Sequence, residues 1–135
     1  MKKTMVILLF ALIILGGCSN GDSNVTREVT FSGEADYWRA TIVKEDLDGT
    51  DFTLSIKYKG DLEDLKYVHQ ISYSYKYGTE ERRRSENRPD GLSSKKAIVY
   101  EDNESTNADY INEQTVIPFK IEWNDKVEEF ELKFK

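Results

Sequence analysis

The chain has 135 residues, a third of them charged, a formal net charge of −6 and a single cysteine. That length suits one domain beyond any targeting segment and is too short for two. The acidic balance argues against nucleic acid as a partner, and one cysteine excludes an internal disulfide framework.

Residues 1–17 combine Lys2 and Lys3 with an apolar run from Met5 to Leu15 and end on Gly16-Gly17. A basic start, a short apolar core and small residues before a cut are the pattern of a secretory signal. The run falls short of the roughly 20 apolar residues that a membrane-crossing helix needs. Leu15-Gly16-Gly17-Cys18 resembles the lipobox of bacterial lipoproteins. That resemblance implies cleavage before Cys18 and a diacylglyceryl thioether on its sulfur, with palmitate-like chains holding the protein at the outer face of the cell membrane. Removing residues 1–17 leaves 118 residues, with 17 basic against 25 acidic side chains and a net charge of −8.

Residues 18–24 continue from Cys18 as Ser-Asn-Gly-Asp-Ser-Asn, which reads as a flexible tether. From residue 25 to 135 the hydrophobic period is two. Val25 to Phe31 alternates first. Trp38, Ala40 and Ile42 follow, then Phe52, Leu54, Ile56 and Tyr58, then Ile71, Tyr73, Tyr75 and Tyr77. A short strand is expected at Ile98 and Tyr100, and two more at Ile117 to Trp123 and at Phe130 to Phe134. Alternation of this kind means one wet face and one buried face, as in antiparallel sheets. Asp48-Gly49 marks a turn, Asn124-Asp125 a tight hairpin, and Asp61 to Leu65 a single helical turn. About seven strands in one domain predict an all-β, immunoglobulin-like antiparallel β-sandwich, with a small closed barrel as the alternative. Trp38 and Trp123 share the apolar phase of their strands and are expected in the core.

Several segments resemble a group of small lipoproteins from Bacillus-like, Gram-positive bacteria. They are Ser32-Gly33-Glu34 with Trp38, Leu54 to Leu62, Ile71 to Tyr75, and Ile121 to Lys126. The resemblance implies a lipid-anchored single β domain and carries no catalytic residue with it.

No nucleophile elbow, phosphate loop or metal-ligand spacing is present, so no catalytic residue, metal or cofactor is expected. His69 is the only histidine and has no nearby partner in sequence. Glu45 to Asp51 alternates carboxylates around Gly49, but its spacing misses the EF-hand pattern and suits a polar hairpin loop. Two features remain as binding candidates. Tyr75 and Tyr77 continue an aromatic row that could stack on a sugar or a peptide if it were exposed. Arg82, Arg83, Arg84 and Arg88 form the one dense basic cluster, expected on a long solvated loop that could meet an anionic wall polymer or an envelope protein. The expectation is a non-enzymatic binding or interaction module of the cell envelope. The alternatives are an accessory subunit of an envelope complex and a small envelope hydrolase or its inhibitor.

Overall fold

Eight strands hydrogen-bond into one antiparallel sheet in the computed structural model, which describes residues 27–88, 97–100 and 111–135, with only the backbone for 97–100. The expected signal and the expected lipidation site at Cys18 lie outside the described residues. The strands are β1 (Val29–Glu34), β2 (Trp38–Lys44), β3 (Phe52–Tyr58), β4 (Gln70–Tyr77), β5 (Glu80–Asn87), β6 (Ala97–Tyr100), β7 (Val116–Trp123) and β8 (Lys126–Phe134). Their order across the sheet is β5-β4-β7-β8-β1-β2-β3-β6.

Alternation in sequence becomes alternation in space. In β3, Phe52, Leu54, Ile56 and Tyr58 are buried while Thr53, Ser55 and Lys57 are not, and β2, β4 and β7 repeat the pattern. The turns follow their sequence signals. Asn124 and Asp125 both take positive φ, 44° and 60°, as a two-residue type I′ hairpin requires. A 3-10 helix occupies Leu62–Leu65 and tucks Leu65 into the core.

The expected sandwich of two separate sheets is met by one sheet that folds over. β1 and β8 pair only through Phe31↔Phe134 and Ser32↔Lys133, so the two four-stranded halves are joined by a short ladder. Beyond that joint the apolar faces turn towards each other. Phe52 of β3 stacks on Tyr77 of β4 at 4.8 Å, and Trp38 of β2 meets Trp123 of β7 edge-on at 5.6 Å. Gly33 lies where β1 leaves β8, and a Cβ there would sit 2.1 Å from the Glu131 carbonyl oxygen. The joint therefore depends on the missing side chain.

Both sets of candidate residues are placed differently from expectation. Tyr75 and Tyr77 are core residues, 1% and 0% exposed, because the fold brings Phe52 over them. Burial raises the Tyr77 phenol above its usual range. Lys44 is buried with it. Its Nζ donates to the Leu47 carbonyl at 3.0 Å, stands 5.6 Å from the centre of the Tyr77 ring, and is held below the usual lysine range by desolvation.

The arginine segment is strand β5, not a loop. It pairs with β4 from Tyr77↔Glu80 to Gln70↔Asn87 around a two-residue turn led by Gly78 at φ 64°. The turn signal lay in Gly78-Thr79, and the paired edge of β4 supplies the hydrogen bonds that make a strand of a wholly polar segment.

Candidate functional site

Strand direction divides the molecule into two ends. Val29, Lys44 and Phe52 are neighbours at one end, where β1 begins. The carboxylate-rich loop from Glu45 to Asp51 closes this end. At the other end Glu34, Trp38 and Tyr58 come together with Ile71, Trp123 and Lys126. Here the connections are the β1–β2 turn, the Lys59 to His69 segment and the Asn124-Asp125 hairpin. Three of the four exposed large apolar or aromatic side chains among the described residues belong to this end: Tyr37 at 42%, Tyr67 at 72% and Val127 at 52%.

The loop end is built on an aromatic cluster. Trp38 meets Tyr58 at 4.9 Å, Tyr37 stacks on Tyr58 with an interplanar angle of 12°, and the Lys126 ammonium stands 5.4 Å from the Tyr37 ring centre. The Tyr58 phenol donates to Asp64 at 3.3 Å, and burial with that carboxylate nearby pushes its pKa up to about 12. Outside the cluster, Glu34 pairs with Arg39 and Lys59. The hydrogen bond from Arg39, with the charges of both bases, keeps its carboxyl below the usual range.

Glu128 fixes the β1–β2 turn. Its carboxylate accepts the Tyr37 amide at 2.9 Å and the Trp38 amide at 3.1 Å. Hydrogen bonds to an ionised acceptor are worth about 1.5–3 kcal/mol each at best, and less where water competes. Replacing Glu128 with Ala is expected to destabilise the domain by about 1–2 kcal/mol and to speed amide exchange at Tyr37 and Trp38 well before the rest of β2. Unchanged exchange at those two amides would show that the turn holds without the carboxylate.

On the outward face of the same end, strand register assembles residues far apart in sequence. Ser72 pairs with Ser85 on one side and Glu122 on the other, and Glu122 pairs with Val127. Above this row stand His69 and Gln70 and the Asn124-Asp125 turn. Together they border an open cleft of about 560 Å³. Ser72 and Ser85 are joined Oγ to Oγ at 3.0 Å, and Gln70 Nε2 donates to Ser85 Oγ at 2.9 Å. Lys120 bonds Glu122 at 2.8 Å. That bond, with the Arg83 and Lys120 charges, keeps the Glu122 carboxyl below its usual range.

The arginines do not gather here. Arg82 and Arg84 stand opposite the buried Tyr75 and Tyr73, with Arg82 leaning over Phe52 at 5.9 Å and pairing with Glu80. Of the four only Arg83 takes the outward phase of β5, opposite Ser74, and Arg88, just past β5, pairs with Glu86 near His69. Tyr37 and Val127 were missed although each is out of phase with the apolar residues of its segment, Trp38 and Leu132, whereas Tyr67 lies in no strand and carries no such signal. The Ser85–Ser72–Glu122–Val127 row was not legible, because it exists only once three strand pairings are fixed.

Among the described residues, no three His, Cys, Asp or Glu side chains are grouped to hold a metal ion, and no helix is long and apolar enough to cross a membrane. No family model, no curated protein and no solved structure matches this chain.

Proposed function

We propose that the chain is a lipid-anchored, non-enzymatic binding module at the extracytoplasmic face of the cell membrane, held through Cys18 and presenting its loop end outward. The observation that carries this reading is the opposition of the two ends. β1 begins beside the acidic loop, whereas Tyr37, Tyr67 and Val127 lie at the far end. A tether over residues 18–24, as expected from the sequence, would span roughly 13–16 Å and favour the acidic end towards the membrane. Two acyl chains provide firm anchoring where one is marginal.

In its finer detail the fold reads as an immunoglobulin-like sandwich. β4 lies between β5 and β7, and β7 lies beside β8, as the C strand lies between C′ and F and F beside G. β3 pairs with β6 as B pairs with E. In such domains the loops at one end carry recognition on a rigid support.

Membrane fractionation tests the anchor. The Cys18→Ser chain is expected to leave the membrane fraction, while the native chain stays with it until detergent is added. Tight sedimentation of the Cys18→Ser chain with membranes would overturn the reading.

A further inference from the structure

The cleft beside the hairpin turn has a shape that follows from its sequence. On the outward face Ser72, with the equally small Ser74 and Ser85 beside it, lies low between the longer Gln70 and Glu122, so the surface dips at the Ser72–Glu122 pair. Gln70 and His69 form one wall and the Asn124-Asp125 turn the other. Val127, half exposed, supplies an apolar lip one strand away.

The groups around the dip are already oriented. Gln70 spends an amide hydrogen on Ser85, which leaves its Oε1 as an acceptor. His69 Nδ1 lies 3.3 Å from the Arg88 carbonyl oxygen. A carbonyl only accepts, so Nδ1 donates in this bond and Nε2 is left for another partner. Glu122 is ionised and fixed by Lys120. Asn124 adds an amide that both donates and accepts.

The cleft's volume falls within the ~300–1,000 Å³ range of small-molecule sites, but such sites are mostly apolar and this one is not. Its charges largely offset one another, Glu122 and Asp125 against Lys126 in the lining and Lys120 bonded to Glu122, which favours a ligand without net charge. A ligand that suits it must donate to several acceptors, accept from a few donors, and lay some C–H surface on Val127. Hydroxyl groups on a ring meet all three demands.

We propose that this cleft binds a neutral polyhydroxylated ligand, one or two rings of a glycan chain. The proposal rests on the binding-module reading and names the ligand class for it. The site belongs to the end that the tether leaves facing away from the membrane, where wall polysaccharide would be within reach.

The test is titration of the isotope-labelled full chain, in detergent micelles, with the tetramer of β-1,4-linked N-acetylglucosamine and with cellotetraose, followed by amide NMR. Shifts are expected for His69 to Ser72 and Glu122 to Val127, saturating at up to ~10 mM sugar. Ser72→Val fills the dip, and Glu122→Leu removes the charged acceptor. Each is expected to weaken binding by about tenfold or more with the remaining spectrum intact. Lys133→Ser, at the far end of β8 from the cleft, is expected to leave binding unchanged.

Absence of shifts with either sugar would overturn the proposal. So would shifts centred elsewhere, or native affinity in a folded Ser72→Val chain. Stronger binding of ethanolamine than of either sugar would also overturn it, by making the cleft an ammonium site. Fractionation of the Cys18→Ser chain reads the anchor independently. A sugar-blind protein that still needs Cys18 for membrane retention would refute this inference and leave the anchored module standing.

Discussion

Gly33→Ala is expected to cost about 3 kcal/mol or more, a large part of the ~5–15 kcal/mol that holds a domain of this size together. The added methyl carbon would lie 2.1 Å from the Glu131 carbonyl oxygen and 2.8 Å from the Glu131 carbonyl carbon. Both are backbone atoms, so no side-chain rotation relieves the contact. Either β8 moves off β1 or the ladder between them breaks. That ladder is only two residue pairs long, and it joins the two halves of the sheet. Urea unfolding followed by tryptophan fluorescence measures the loss. A change below about 1 kcal/mol would show that β1 and β8 part without disturbing the core.

Trp38→Ala is the second substitution with a large expected effect, about 3–5 kcal/mol. Trp38 is fully buried and packs edge-on against both Tyr58 and Trp123, so its removal leaves a cavity where the two halves meet. Trp38→Phe sharpens the prediction. The indole Nε1 is buried and has no partner among the described residues. An unpaired buried donor costs about 1–3 kcal/mol by itself. Phenylalanine gives up volume but also removes that donor, so its cost is expected to stay below about 2 kcal/mol. Equal losses for Ala and Phe would mean that the indole nitrogen contributes a hydrogen bond.

The strands with a clean period of two, β2, β3, β4 and β7, were legible because each residue's environment there is set by its own neighbours. The Asn124-Asp125 hairpin was legible for the same local reason. β5 was not. All eight of its residues are polar, so nothing in Glu80 to Asn87 prefers one face, and it became a strand by pairing with β4 after the Gly78 turn. The buried ends of Tyr75 and Tyr77 were hidden for a different reason. Alternation put these rings on the core side, but how deeply they sink depends on Phe52, more than twenty positions away in sequence, folding over them. The outward cleft combines segments of β4, β7 and β8 and a turn, a register problem that no short window of sequence contains.

The composition of β5 also bears on how the protein behaves when many copies are crowded together. Among the described residues β5 pairs only with β4, and its other side is an end of the sheet. Strands at sheet ends are where separate molecules zip into aggregates. Opposite residues share a face, so a second copy laid antiparallel along β5 about a two-fold axis sets Arg83 against Arg83, with Arg82 against Arg84 and Glu80 against Glu86, or, one residue along, Arg84 against Arg84. With no apolar side chain to offset that repulsion, full-length zipping along this border is disfavoured even at the high local concentrations of a membrane surface.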